Sequence, residues 1–163
     1  MCIRDRTAAA EVVRARFAAA FAGFPADRPC WILGHNDADG LSATAVVARA
    51  MARAARPAET RIVGRGENAW STDMRAEIAG HGPGGVIVCD LGVGSGPVAP
   101  GAPTIVIDHH VPRGAGDGTV ISGLDFDPAP TTSLLAYWCA GAVAEVDDLL
   151  WLCLLYTSPS PRD

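Results

Sequence analysis

The 163-residue chain is long enough for one domain with a buried core, because 49% of its residues are hydrophobic and only 19% are charged. None of its apolar runs approaches the roughly 18 residues that a membrane-spanning helix needs, so the sequence offers no membrane span. Its formal net charge of −5 excludes a generally basic surface that would hold long nucleic acid by charge alone.

The two ends of the chain are related at the level of codons. Codons for residues 1–5 can be chosen that lie wholly within the reverse complement of codons for residues 153–158. This relationship is typical of a sequencing adapter read through at both ends, and coincidental codon choice is the alternative. We therefore expect residues 1–6 and 153–163 to be adapter-derived and to pack poorly, and residues 7–152 to be native protein.

The cysteines outside those ends favour a reducing compartment. Cys30, Cys89 and Cys139 lie on or beside apolar segments and show no Cys-x-x-Cys spacing. No secretory signal is evident near the start of the chain. These features predict buried, reduced thiols in a cytoplasmic protein.

Helical and strand patterns alternate along the chain. Strands are predicted over residues 30–34, 60–63, 86–90, 104–108 and 119–124. Helices are predicted over residues 7–22, 41–55, 70–79 and 131–143, with a last one starting at residue 147. Ser71 is the expected cap of one helix, and Thr131, Thr132 or Ser133 that of another. We therefore predict an α/β fold, with a parallel sheet of about five strands and helices on both faces.

The first strand ends in a group of metal-type ligands. His35, Asp37 and Asp39 follow its apolar run at a period of two, and Gly40 comes next. Residues two apart in extended chain point the same way, so these side chains are expected to converge just past the strand. One imidazole and two carboxylates suit manganese, magnesium or iron better than a thiolate-binding metal. The alternative is a loop whose acids cap the following helix.

Two further strands end in the same kind of residue. Asp90 follows the third strand, and Asp108, His109 and His110 end or follow the fourth. In parallel α/β sheets, ligands bind beyond the carboxyl ends of the strands, where all three groups are expected to lie. The capping alternative does not predict this coincidence.

Together these residues resemble the motifs of the DHH phosphoesterase family. The pattern His-x-Asp-x-Asp-Gly is met by residues 35–40, the lone strand-end aspartate by Asp90, and Asp-His-His by residues 108–110. The motifs occur in the family's order, and the resemblance covers roughly residues 28–152. It implies two divalent metal ions, commonly Mn²⁺, with Mg²⁺ as the alternative.

The resemblance also implies a role for each ligand. By it, His35 and Asp37 hold the first ion, Asp39 and His109 hold the second, and Asp90 bridges them. Two such ions lower the pKa of a shared water and offset the charge that develops on a phosphate.

The remaining candidates surround this centre. Asp108 is interpreted as a carboxylate that orients a histidine through its ring nitrogen. His110 is interpreted as contacting the substrate phosphate or donating a proton to the leaving oxygen, with a purely structural histidine as the alternative. Arg65, in a tight glycine loop, and Arg113 are candidate phosphate contacts, and a plain turn is the alternative for Arg65.

The predicted function is a metal-dependent phosphodiesterase acting on single-stranded nucleic acid or short oligonucleotides, most similar to the RecJ-type exonuclease branch of the family. Alternatives within the family cleave cyclic dinucleotides, nucleoside bisphosphates, pyrophosphate or polyphosphate. An alternative of another class is an inactive metal-binding fragment.

The resemblance stops short of a complete family member. A fourth-motif acid that completes the second ion's shell is expected beyond Leu152, with Asp127, Asp147 and Asp148 as weaker candidates within the chain. A carboxy-terminal substrate domain is expected in the parent protein. The 163-residue chain itself is therefore expected to be weak or inactive.

Overall fold

Five strands form one fully parallel sheet in the order β2-β1-β3-β4-β5. The computed structural model describes residues 3–154, with side chains over residues 7–153. The strands are β1 Cys30–His35, β2 Ala58–Val63, β3 Gly85–Cys89, β4 Thr104–Asp108 and β5 Thr119–Ser122. The helices are α1 Ile3–Phe21, α2 Ala38–Arg53, α3 Thr72–His81, α4 Thr132–Ala140 and α5 Leu150–Leu154, with 3₁₀ turns at Gly123–Asp125 and Asp147–Leu149.

The sheet is covered on both faces, so alternate residues of its strands enter two separate cores. In β1, Ile32 packs in the core that includes residues of α1, α2, α4 and α5. Its neighbour Leu33 packs in the opposite core with α3 and the segment after β3. Both side chains are completely buried, which explains the continuous apolar runs of these strands. The predicted α/β fold, with helices on both faces of a parallel sheet, is confirmed.

Within residues 3–154, no helix combines the length and the apolar character that crossing a bilayer requires.

Helix α2 begins three residues earlier than the sequence predicts. Asp37 is its N-cap, and its Oδ1 accepts a hydrogen bond from the Gly40 amide at 2.9 Å. Asp39 and Gly40 therefore lie in the first helical turn and not in extended chain. The other predicted caps are present, since Ser71 caps α3 and Thr131 caps α4.

The expectation of poor packing at the carboxyl end is wrong for Cys153. This residue is buried in the larger core, and its thiol lies 3.2 Å from the carbonyl oxygen of Ser133. Cys153 comes four residues after the buried Leu149, so a small apolar side chain at this position continues the same buried face. Residues 1–2 and 155–163, and the side chains of residues 3–6 and 154, lie outside what the structure describes.

Two glycines bring α2 close to β1. A Cβ at Gly34 would lie 1.8 Å from Thr44 Oγ1 of α2. A Cβ at Gly40 would lie 2.5 Å from His35 Cβ and 2.7 Å from its carbonyl oxygen. Both distances are far inside van der Waals contact, so only glycine allows the helix to start directly over the end of the strand.

We expect Gly34→Ala to lower the free energy of unfolding by about 1–3 kcal/mol, because the new methyl group overpacks the α2–β1 contact. Thr44→Ala in the same chain removes the clashing hydroxyl, and it is expected to recover part of that loss in a double-mutant cycle measured by urea denaturation. Gly80→Ala is the matched control, since a Cβ added at this position in α3 would meet nothing within 4 Å outside its own helix. A Gly34→Ala protein as stable as the Gly80→Ala protein would contradict the close approach.

Candidate metal centre

Three loops meet beyond the carboxyl ends of neighbouring strands. His35 ends β1, Asp90 directly follows β3, and His109 and His110 directly follow β4. Because β3 lies between β1 and β4, Asp90 is flanked on both sides by the histidines. The structure thus brings together the residues that the sequence assigned to a metal centre, although their function stays a prediction.

Asp90 occupies the middle of this cluster. Its side chain is almost fully buried, and its Oδ2 lies 3.9 Å from His35 Nδ1. Its Oδ1 lies 3.7 Å from both His109 Nε2 and His110 Nδ1. The backbone at Asp90 has φ of 64°, a left-handed conformation that few non-glycine residues adopt and that is concentrated at functional sites. One carboxylate oxygen therefore faces each flank of the cluster.

His35 and Asp37 form the β1 flank. Their Nδ1 and Oδ2 atoms are 2.9 Å apart, yet His35 Nδ1 is buried without a partner in hydrogen-bond geometry. Burial raises the pKa of Asp37, but the Gly40 amide and His35 outweigh it, and the pKa ends below its ordinary value. An ionised carboxylate beside an unsatisfied imidazole nitrogen is a donor pair that fits a metal ion.

Asp39 is held differently from Asp37. It is 2% exposed, and its oxygens accept hydrogen bonds from the backbone amides of Thr132 and Ser133, at 2.9 and 2.8 Å. Its Oδ2 also lies 3.8 Å from His109 Nε2. Asp39 therefore joins the cluster through the amino end of α4, and each oxygen keeps a lone pair free.

Asp108 is directed toward protein donors. Its Oδ2 accepts from the Gly92 amide at 2.7 Å, and its Oδ1 accepts from the His110 amide at 2.6 Å. The same Oδ1 lies 3.1 Å from His110 Nδ1. Asp108 thus fixes the ring of His110 and ties together the loops that follow β3 and β4.

Negative charge is crowded at this edge of the sheet. Burial raises the pKa of Asp90 to about 7, and Asp39, Asp37 and Asp108 add to the rise, whereas the hydroxyl of Thr132 opposes it. Over the described side chains, ion pairs to these four carboxylates come from histidines. A cationic ligand would relieve this repulsion.

Two groups of side chains fit a divalent ion. His35, Asp37 and Asp90 present ligand atoms within 4.8 Å of one another, and so do Asp90, His109 and His110. Imidazole and carboxylate donors without thiolate suit manganese, iron or magnesium. The shared Asp90 makes the two groups adjacent. The second group contains His110 as its third member, whereas the family resemblance implied Asp39 in that place.

An open cleft of about 970 Å³ adjoins the centre. His35, Asp90 and His110 lie along it, and Trp70 and Arg113 also line it. Arg113 is exposed, and its backbone amide donates to the Val93 carbonyl oxygen at 2.9 Å. Arg65 is also exposed but does not line the cleft. Of the two arginines, only Arg113 is therefore placed beside the centre.

Sequence reasoning missed two residues at the start of α4. Thr132 donates its hydroxyl to Asp90 Oδ1 at 2.7 Å, and the Thr132 and Ser133 amides bind Asp39. The run Thr131-Thr132-Ser133 indicated a helix cap, and Thr131 alone fills that role. A helix start needs only one capping side chain, so the two further hydroxyl-bearing residues were the sequence signal that could have indicated another role.

Comparison with solved structures gives the same fold. A crystal structure of exonuclease RecJ bound to manganese matches with a TM-score of 0.72 and 20% sequence identity, over 86% of this chain and 41% of that chain. RecJ from Thermus thermophilus in complex with Mn²⁺ matches with a TM-score of 0.70 and 20% identity, over 86% of this chain and 23% of that chain. At this identity the likeness shows the fold.

The chain spans less than half the length of either RecJ structure. No protein-family model and no curated protein sequence matches it.

We expect Mn²⁺ to stabilise the protein, because an ion that binds only the folded state adds about 2.7 kcal/mol at 100 times its Kd. Thermal denaturation after EDTA treatment, with and without added Mn²⁺, measures this gain. Asp90→Asn is expected to abolish it. Asp27→Asn, which changes an exposed acid just before β1, at the opposite edge of the sheet from the centre, is expected to keep it. Equal Mn²⁺ stabilisation of both variants would remove Asp90 from the centre.

In the metal-free protein, Asp90 is expected to cost stability as the pH rises. Below its ordinary pKa of 3.8 the carboxyl is protonated in the folded and unfolded states alike, so it has no effect. Between that value and about 7 the unfolded state loses the proton first, so stability falls, and the loss is complete above pH 7.

Asp90→Asn is therefore expected to raise the free energy of unfolding by roughly 1–3 kcal/mol at pH 8. At about pH 4 it is expected to have little effect. Asparagine also tolerates the left-handed backbone. Urea denaturation in EDTA at the two pH values tests the expectation, and a stabilisation of equal size at both would contradict it.

Proposed function

We propose that the chain is the metal-binding catalytic domain of a DHH-family phosphodiesterase that hydrolyses single-stranded nucleic acid or short oligonucleotides. The observation that carries the proposal is the central position of buried Asp90, within 3.9 Å of imidazole nitrogens from His35, His109 and His110. The motif resemblance and the fold shared with manganese-bound RecJ support the same conclusion.

In this proposal, His35 and Asp37 would hold one divalent ion and Asp39 and His109 would hold a second, with Asp90 shared between them. When bound, two such ions, Mn²⁺ or Mg²⁺, supply activation of a water and neutralise charge at the phosphate. The protein's own contribution is to fix the carboxylates in place. The Gly40 amide holds Asp37, the Thr132 amide holds Asp39, and the Thr132 hydroxyl holds Asp90.

His110 is the proposed proton donor to the leaving oxygen. Its side chain is 55% exposed at the cleft, so a substrate can reach it. Asp108 lies against Nδ1, which leaves Nε2 as the nitrogen that a substrate oxygen would meet. Arg113, which also lines the cleft, is the proposed contact for a neighbouring phosphate of the nucleic acid strand.

We further propose that the remaining substrate-binding surface belongs to a carboxy-terminal domain of a longer parent protein. The chain by itself is then slow, because positioning of the phosphate supplies a large share of the rate in phosphoryl transfer. Single-turnover conditions, with protein in excess over substrate, allow a slow reaction to be measured.

Labelled single-stranded oligonucleotides incubated with excess protein and Mn²⁺ test the proposal. We expect mononucleotide release that EDTA abolishes and that Asp90→Asn lowers to below about 1% of the wild-type rate. Asp27→Asn is the control that keeps the rate. Cleavage undiminished by Asp90→Asn would overturn the proposal.

Parallel reactions with a cyclic dinucleotide, a nucleoside bisphosphate, pyrophosphate and polyphosphate separate the other substrates of the family. Preference for one of them would replace nucleic acid as the substrate. Mn²⁺ binding without turnover of any substrate would identify a metal-binding module without catalytic activity.

We expect His110→Ala to slow oligonucleotide cleavage by about 10²–10⁴, because general acid catalysis contributes about that much when the leaving group is a poor one. Cleavage of bis(p-nitrophenyl) phosphate, whose leaving group needs no proton, is expected to fall far less. Equal losses on both substrates would show that His110 acts in some other way.

A further inference from the structure

We propose that Thr132 is a positioning residue for the metal centre, which fixes the bridging carboxylate of Asp90 and couples it to Asp39. The inference rests on the proposed function, since it assumes that these two carboxylates are metal ligands. It concerns a residue outside the motifs that the sequence singled out.

Thr132 contacts both carboxylates at once. Its side chain is completely buried, and its hydroxyl donates to Asp90 Oδ1 at 2.7 Å. Its backbone amide donates to Asp39 Oδ2 at 2.9 Å. The three residues come from α4, the end of β3 and the first turn of α2, so Thr132 links three elements at one point.

The hydrogen bond from the Thr132 hydroxyl fixes the rotation of the Asp90 carboxylate. It takes one lone pair of Oδ1, the oxygen that lies 3.7 Å from His109 Nε2, and leaves Oδ2 on the His35 side. A carboxylate with one oxygen toward each flank is arranged to bridge two ions, whereas a freely rotating one is not. Hydrogen-bond partners that orient a ligand in this way raise the affinity of a metal site.

A merely structural role for Thr132 predicts something different. The N-cap of α4 is Thr131, whose Oγ1 accepts from the Leu134 amide at 3.3 Å. The hydroxyl of Thr132 is therefore not needed to start the helix. If it served packing or helix stability alone, its loss would lower the melting temperature without changing metal affinity.

Calorimetric titration of the EDTA-treated, full 163-residue chain with Mn²⁺ distinguishes the two roles. Thr132→Val keeps the branched shape and removes the hydroxyl, and we expect Mn²⁺ affinity to fall by roughly 10- to 100-fold. Thr132→Ser restores the hydroxyl and is expected to bind within about threefold of the wild type. The loss is expected to be larger for the site on the His109 side, which shares Oδ1 with Thr132.

Thr131→Val is the matched control, because it makes the same chemical change one residue earlier and removes the cap instead. We expect it to lower the melting temperature of the metal-free protein and to leave Mn²⁺ affinity unchanged. If Thr132→Val fails to fold, Thr132→Ala carries the same expectation, since it removes the hydroxyl without adding a methyl group.

Wild-type affinity in a folded Thr132→Val or Thr132→Ala variant would overturn this inference and leave the proposed function intact. Absence of Mn²⁺ binding by the wild type would overturn both. Loss of affinity in Thr131→Val equal to that in Thr132→Val would assign the effect to the helix start as a whole and would also overturn the role of Thr132.

Discussion

Repulsion among buried carboxylates is the constraint that shapes the carboxyl edge of this sheet. Asp39, Asp90 and Asp108 are 2%, 3% and 1% exposed, and no arginine pairs with them among the described side chains. A buried carboxylate without a partner is costly, so the fold supplies neutral donors. These are the hydroxyl of Thr132 and the backbone amides of Gly92, His110, Thr132 and Ser133. Neutral donors stabilise a carboxylate without cancelling its charge, so the edge stays suited to cations.

The hydrogen bonds also separate the carboxylates by role. Both oxygens of Asp108 accept hydrogen bonds from protein donors, and these bonds hold the His110 loop in place. Among the described side chains, Asp90 accepts a hydrogen bond at Oδ1 from Thr132, and its oxygens lie within 3.9 Å of histidine nitrogens. Asp39 lies between these extremes, with one amide on each oxygen. The number of protein hydrogen-bond donors on each carboxylate thus separates Asp108, which holds other residues in place, from Asp90, which can still bind a ligand.

Much of this arrangement could be predicted from sequence, because it depends on local patterns. The bounds of β4, Thr104–Asp108, match the prediction, since its β-branched apolar run ends abruptly in polar residues. The clustering of the histidines and Asp90 follows from the rule that parallel strands present their carboxyl ends on one edge. The reason given for Asp39 was wrong, however. It reaches the cluster from the first turn of α2, and not from extended chain.

What could not be predicted depends on contacts between distant parts of the chain. The bond from Thr132 to Asp39 joins residues 93 positions apart, and no local pattern encodes it. The burial of Cys153 depends in the same way on packing against α4. Arg65 and Arg113 both lie in glycine-containing loops of the sequence. The path of these loops in the fold places Arg113, and not Arg65, at the cleft.

The strand order has a consequence for the time course of folding. β3 pairs with β1 and β4 pairs with β3, so the centre is incomplete until both pairings have formed. An ion that needs ligands from all three strands has little to bind in a partly assembled sheet. Where the folding transition state has not yet brought the three strand ends together, such an ion slows unfolding and does not speed folding.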